Sequence, residues 1–327
     1  MDKLSYKLKS GKNSKFLYYL AGYARLLAPK TFVQARLKST LDSLDAREDR
    51  EYITERVDYY NRLTEKSAIS ENAPMLREYW PTGQKVYFFD MFQYARWFPQ
   101  SLRLELLPGD ITYVPQHPSI VKSRPLHTDN ANSVIMKLDK VRHFIFVKDP
   151  IRFSDKKDMV IFRGKVKGKE SRRRFMKLYF GNAMCDLGDV SRDTTDPEEW
   201  QTEKKSIRDH LEYKFIMALE GNDVASNLKW VMSSNSVAVM PRPTCETWFM
   251  EGKLIPDYHY IEIRPDFSDL EERLRYYIAH PEEAERIARN ANEYVAQFKD
   301  RKRERLISLL VLDKYFRMTG GYRNAAR

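Results

Sequence analysis

The tetrapeptide Glu-Gly-Asn-Asp at residues 220–223 stands between two apolar runs, FIMAL at 215–219 and SVAVM at 236–240. A polar loop after a buried strand of an open α/β sheet faces the ligand crevice, and a helix behind it aims free N–H groups and a partial positive charge there. Gly221 permits a tight turn, and Asn222 or Asp223 is placed to cap a helix of about two turns. Ser226 then falls in its first turn and Lys229 one turn on. This set suits a phosphate. A single glycine is neither a Walker loop nor a dinucleotide fingerprint, so an ordinary capped turn is the competing reading. A second basic turn lies upstream. VIFRGKVKGKESRRRF puts Arg163 at a strand end, followed by Gly164 and Lys165. Arginine there can grip a diphosphate through two parallel hydrogen bonds. Arg172, Arg173 and Arg174 read as a solvated helix face. Two strand-end anion sites in one domain point to a nucleotide diphosphate.

The elements that must position these residues follow from apolar patterning. Strands are expected at KVYFFDM (85–91), LRLELLPGD (102–110), SIVKSRP (119–125), HFIFVKD (143–149), DMVIFRG (158–164) and YHYIEI (258–263), besides the two runs around the loop. Helices are expected over residues 16–27, about 40–72, at RRRFMKLYFGN and from Ser268 onward. Apolar runs alternating with helical patterns indicate parallel sheets covered by helices. The strands divide into two α/β groups, and ligands prefer clefts between such domains. The expected boundaries are 1–154 for an acceptor-binding domain with a basic helical lead-in at 1–75, 155–300 for a nucleotide-sugar domain, and 301–327 for a helix returning to the first.

With 42% hydrophobic and 31% charged residues, the 327-residue chain has an ordinary globular composition. No stretch approaches the roughly 18–20 apolar residues of a membrane helix. The N-terminal residues MDKLSYKLKSGKNSKF are charged where a secretion signal needs an apolar core, so a cytoplasmic location is expected. Cys185 and Cys245 are too few for a disulfide framework or a zinc cluster and read as core residues. The net charge of +11 attracts polyanions. The lead-in interleaves lysines with Leu, Tyr and Phe, a pattern that suits an anionic membrane surface. A solvated helix packed on the body is the alternative.

The blocks FRG, YKF…GN…SNLKW…SNSV, ETWF and HYIEI…D.SDL, in this order, resemble the CAP10 or lipopolysaccharide-A type glycosyltransferases, glycosyltransferase family 90. The likeness covers about residues 158–277, and the stretch from Gly109 to Asp149 resembles the bacterial lipooligosaccharide core branch. It implies a GT-B architecture of two Rossmann-like domains facing across a cleft. It also implies inverting transfer of a hexose, glucose or galactose, from a UDP-sugar, with no metal and no further cofactor. The implied acceptor is the core oligosaccharide of lipopolysaccharide or lipooligosaccharide, at the inner face of the cytoplasmic membrane. A capsular glycan or a protein hydroxyl is the alternative acceptor. A basic nucleic-acid-binding protein is the rival of another class, and no RRM, KH, zinc-finger or helix-turn-helix signature supports it.

Inverting transfer needs a carboxylate to take the acceptor proton and positive charge to meet the leaving diphosphate. The resemblance suggests Asp110 as the base, in LLPGDITYVP, although Gly109 and Ile111 depart from the family's Arg-Asp-Tyr-Pro turn. Asp90 is one rival, and His127 with Asp129 another. Arg163, Gly164, Lys165, Gly221, Asn222, Ser226 and Lys229 are assigned to the diphosphate, and Glu246 matches a family carboxylate that would hold the ribose. Lys122, Arg124, His127, Lys137, Lys140 and Arg142 would receive a phosphorylated, acidic acceptor. Trp248 and Phe249 read as packing, and His280 as a helix boundary.

Overall fold

The computed structural model describes residues 11–192 and 194–324. The first ten residues of the lead-in, MDKLSYKLKS, therefore lie outside the described residues. The strands are β1 (Ser119–Val121), β2 (Ser123–Pro125), β3 (Ser133–Ile135), β4 (Lys157–Gly164), β5 (Cys185–Asp189), β6 (Tyr213–Met217), β7 (Val237–Met240), β8 (Cys245–Thr247) and β9 (Ile261–Glu262). The fold is mixed α/β with parallel sheets. The chain divides into two compact units.

The sheet unit comprises Arg142–Pro243 and Lys253–Gln297, with residues 11–13. Its five strands are all parallel, in the order β5-β4-β6-β7-β9. Counted within the sheet this is 2-1-3-4-5, a doubly wound order. β6 and β7 are buried at every residue, as expected of parallel strands covered on both faces. Val160, Phe215, Val237 and Ile261 from the strands join Phe175, Leu274, Ala284 and Ile287 from the helices in one core. Those helices are Glu170–Tyr179, Leu270–Ala279 and Pro281–Ala296. His280 ends one and begins the next, at a proline. Residues 143–149 do not form the expected strand. His143 ends the short Lys140–His143 helix, and the residues after it are tied by side chains instead: Val147 N–H donates to Ser233 Oγ (2.9 Å), and the Asp149 carboxylate accepts from Asn235 N–H (2.9 Å) and Lys156 (2.8 Å).

The helical unit comprises Ser14–Val141, Thr244–Gly252 and the described part of Phe298–Arg327. Its strands form only two pairs, β1 with β3 in parallel and β2 with β8 antiparallel. Among the described residues the second Rossmann-like sheet expected from sequence is thus not formed. KVYFFDM supplies the main reason. It is not a strand but the first part of a helix, Lys85–Ala95, that is buried around most of its circumference. A helix without a polar face has no 3.6-residue alternation to distinguish it from a buried strand. Residues 102–110 form no strand and carry two isolated bridges, from Arg103 to Met75 and from Leu106 to Ile120 of β1. The expected helix over 40–72 is confined to Leu37–Asp42 and Arg50–Tyr60. The Arg301–Met318 helix packs against Arg50–Tyr60 and Lys85–Ala95 and buries Leu306, Ile307, Leu309, Leu312 and Phe316. The boundary falls at Val141, not 154, and Thr244–Gly252 belongs to this unit because β8 pairs with β2.

Candidate functional site

From β4 the chain winds outward to β5 on one side and returns to place β6 on the other. The topological switch point therefore lies between the C-terminal ends of β4 and β6, where ligands of doubly wound sheets bind. Two loops meet there, the turn after Gly164 and the Glu-Gly-Asn-Asp loop. Arg172 holds them together. Its guanidinium donates to Lys165 O (3.0 Å), Glu220 O (3.0 Å) and Leu219 O (2.7 Å). Burial pushes the pKa of this guanidinium down. Arg172 is therefore not part of a solvated face; the first turn of its helix aims it back over both strand ends. Lys169 reaches across to Asn222 Oδ1. From the β5 side, buried Asp189 and Ser191 accept Val166 N–H, each at 3.0 Å, and fix the turn after Gly164.

The candidate diphosphate residues separate at this point. Lys165, Asn222 and Ser226 are exposed on the two loops, with Gly164 and Gly221 beside them. Arg163 is not directed at the crevice. It pairs with Asp186 on the neighbouring strand and donates to Asp186 O (2.8 Å). Tyr213 and Lys205 (3.2 Å) also serve the Asp186 carboxylate. Burial pushes that carboxyl up, but the bonds from Tyr213 and Arg163 prevail and bring it down to about 2. Lys229 is fully buried. The helix after the loop is a single turn, Leu228–Val231, with Asn227 rather than Asn222 or Asp223 at its N-cap. The Asn227 amide donates instead to Met217 O at the end of β6 (2.9 Å). A helix this short contributes little macrodipole, so the phosphate reading rests on the loops themselves.

The remaining candidates sit mostly in the helical unit. Asp110 lies in a turn where Gly109 takes a φ of 115°, a conformation that favours glycine. Its side chain is 20% exposed and forms an ion pair with Lys122, which is buried. Ser123 Oγ donates to Ile111 O (2.9 Å), so consecutive residues beside β1 and at the start of β2 anchor this turn. Lys122 thus holds Asp110. Asp90 is buried, accepting from Tyr18 Oη (2.7 Å), Lys140 N–H (3.0 Å) and Lys140 Nζ (3.0 Å). Those bonds engage both of its carboxylate oxygens and give Lys140 its partner. His127 and Asp129 are exposed on the loop before β3.

Glu246 is neither a surface residue nor helical. It lies in β8 directly opposite Arg124 of β2, and both side chains are fully buried at 2.8 Å. Arg124 also donates to Tyr59 O (2.7 Å), while Tyr59 Oη donates to Glu246. The pair therefore joins strand to strand across β2 and β8. Lys137 is likewise engaged, at 3.0 Å from Glu304, whose carboxylate also takes Arg56 (2.7 Å) and Trp248 Nε1 (2.7 Å). Trp248 stacks on Tyr60, with ring centres 3.9 Å apart, as the packing reading requires. Arg142 is exposed and belongs to the sheet unit. The sequence reads Arg172 as part of a solvated face and does not single out Asp189. Their signal was available only as a strand-end register, since Gly164 pairs with Asp189.

Residues 131–317, more than half of the chain, match the model of glycosyl transferase family 90. A relative in Dichelobacter nodosus, the O-glucosyltransferase LpsA, is 40% identical over 265 residues, covering 81% of this chain and 82% of that protein. An uncharacterized protein of frog virus 3, 027R, is 30% identical over 181 residues, 44% of this chain but only 19% of its own length. The switch-point loops and the sheet that carries them fall within the matched span, and the chain belongs to glycosyl transferase family 90.

Proposed function

We propose that this glycosyltransferase moves a hexose from a UDP-sugar, with inversion, to the core oligosaccharide of lipopolysaccharide or lipooligosaccharide. Glucose is favoured over galactose because the bacterial relative is an O-glucosyltransferase. The observation that carries the donor half is the pair of loops at the switch point, tied through Arg172. Lys165, Ser226, Asn222 and the backbone around Gly164 and Gly221 receive the diphosphate. Their positive charge and N–H donors meet the charge that grows on the leaving phosphate. Arg163 acts behind them through Asp186. The labour divides as in GT-B enzymes, donor on the sheet unit and acceptor on the helical unit, whose own sheet is reduced. Asp110 takes the proton of the attacking hydroxyl as the bond to the anomeric carbon forms and UDP leaves.

The test is transfer from UDP-glucose, UDP-galactose, ADP-glucose and GDP-glucose to a truncated lipooligosaccharide core, read by mass of the product. Transfer from a UDP-sugar alone is expected. Asp110→Asn is expected to lower kcat by about 10²–10⁴-fold with UDP binding intact. Transfer from an ADP- or GDP-sugar, or full activity in Asp110→Asn, overturns the donor or the base. A product on a capsular glycan or a protein hydroxyl, with none on the core, overturns the acceptor.

A further inference from the structure

The Lys15–Leu27 helix carries its apolar face outward. At about 100° per residue, Phe16, Leu20, Tyr23 and Leu27 share one stripe, with Leu17 and Ala24 beside it. This stripe is solvent-facing: Phe16 is 74% exposed, Leu20 57% and Leu27 86%. Phe32, in the next short helix, is 64% exposed. The inward face is the less greasy one. Tyr18 Oη donates to Asp90 Oδ1 (2.7 Å) and Val86 O (3.1 Å) of the Lys85–Ala95 helix. Gly22 lies against the Phe89 ring, where a Cβ would stand 2.8 Å from Cδ1. The helix cannot roll to hide its leucines without breaking the Tyr18 bonds and driving a side chain into Phe89. The outward orientation is built in.

Charge selects what covers this face. From Gly11 to Leu41 the chain has six basic residues, Lys12, Lys15, Arg25, Lys30, Arg36 and Lys38, and no acidic one. A second copy would set like charge against like charge. An anionic bilayer offers phosphates to the cations and acyl chains to the stripe. Thirteen residues span about 20 Å, and no described helix is long and apolar enough to cross a membrane. A helix of this length lies in the plane of the interface.

We infer that the Lys15–Leu27 helix docks the chain on an anionic phospholipid bilayer, with Phe16, Leu17, Leu20, Leu27 and Phe32 inserted below the headgroups. The inference uses none of the donor residues and stands whatever nucleotide the enzyme takes. Co-sedimentation of the full chain with sucrose-loaded vesicles tests it, comparing phosphatidylcholine alone with phosphatidylcholine mixed with phosphatidylglycerol. Wild type is expected to pellet with the mixed vesicles and to stay in solution with the neutral ones. The double variant Leu20→Glu/Leu27→Glu is expected to lose at least about tenfold in partition. It should melt and bind UDP as wild type does, because both positions are exposed. A double variant that pellets like wild type, or wild type that fails to pellet, overturns the inference. A dimer seen by light scattering that the double variant dissociates overturns it in favour of self-association. UDP binding measured on the same samples separates these results from a failure of the donor reading.

Discussion

Replacing Glu246 by glutamine distinguishes a structural carboxylate from a ribose ligand. Glu246 Oε1 accepts from Arg124 at 2.8 Å, and both side chains are fully buried. Arg62 stands a further 3.6 Å from the same oxygen. Glutamine fits the space but removes the carboxylate charge that faces two guanidinium groups. Breaking a buried pair from one side costs about 3–5 kcal/mol, because the surviving charge is left uncompensated. At about 2–4 °C per kcal/mol for a unit of this size, melting should fall by roughly 6–20 °C. The double variant Arg124→Met/Glu246→Leu removes both charges and should cost clearly less than the two single losses added together. Thermal melting followed by near-ultraviolet circular dichroism measures the first quantity. Isothermal titration with UDP, below the melting range, measures the second and should be unchanged. If Glu246→Gln melts within about 1 °C of wild type and loses UDP binding, the buried-pair reasoning is refuted and the ribose role restored.

Three more outcomes are expected. Arg172→Ala frees the carbonyls of Lys165, Leu219 and Glu220; the two loops loosen and UDP binding weakens by about 10–100-fold, on the order of 1–3 kcal/mol, read by titration calorimetry. Lys122→Met removes the ion pair that holds Asp110; kcat should fall with little change in the KM for the donor, whereas equal changes in both would place Lys122 in donor binding. The Asp186 carboxyl is depressed to about 2. Its contribution is therefore complete above the ordinary carboxylate range near pH 4 and disappears as pH falls through about 2, at most about 2 kcal/mol. Asp186→Asn should flatten the stability of the sheet unit across that acid window, measured by urea denaturation at successive pH values.

What could be read from the residue order was local. The runs VIF, FIMAL and SVAVM are short, largely apolar stretches bounded by polar turns, a pattern that buried parallel strands satisfy. The family blocks FRG, YKF…GN and SNSV run through those strands and the turns beside them, so the sheet and the glycosyltransferase assignment were legible in one dimension. The lead-in helix was legible too, through its aromatic and aliphatic residues between basic flanks; the structure adds its cap, Ser14 Oγ, which accepts Leu17 N–H. Pairing across the chain was not legible. The partners of Glu246, Lys137 and Lys122 lie 122, 167 and 12 residues away, and a charged side chain reads the same whether it faces a phosphate or a buried counter-charge. KVYFFDM misled for a related reason: a helix buried on nearly all sides has no polar face to reveal its period. The outward set of Phe16, Leu20 and Leu27 was likewise decided by tertiary contacts alone. Periodicity shows that a helix has two faces, and only packing against Asp90 and Phe89 determines which of them meets solvent.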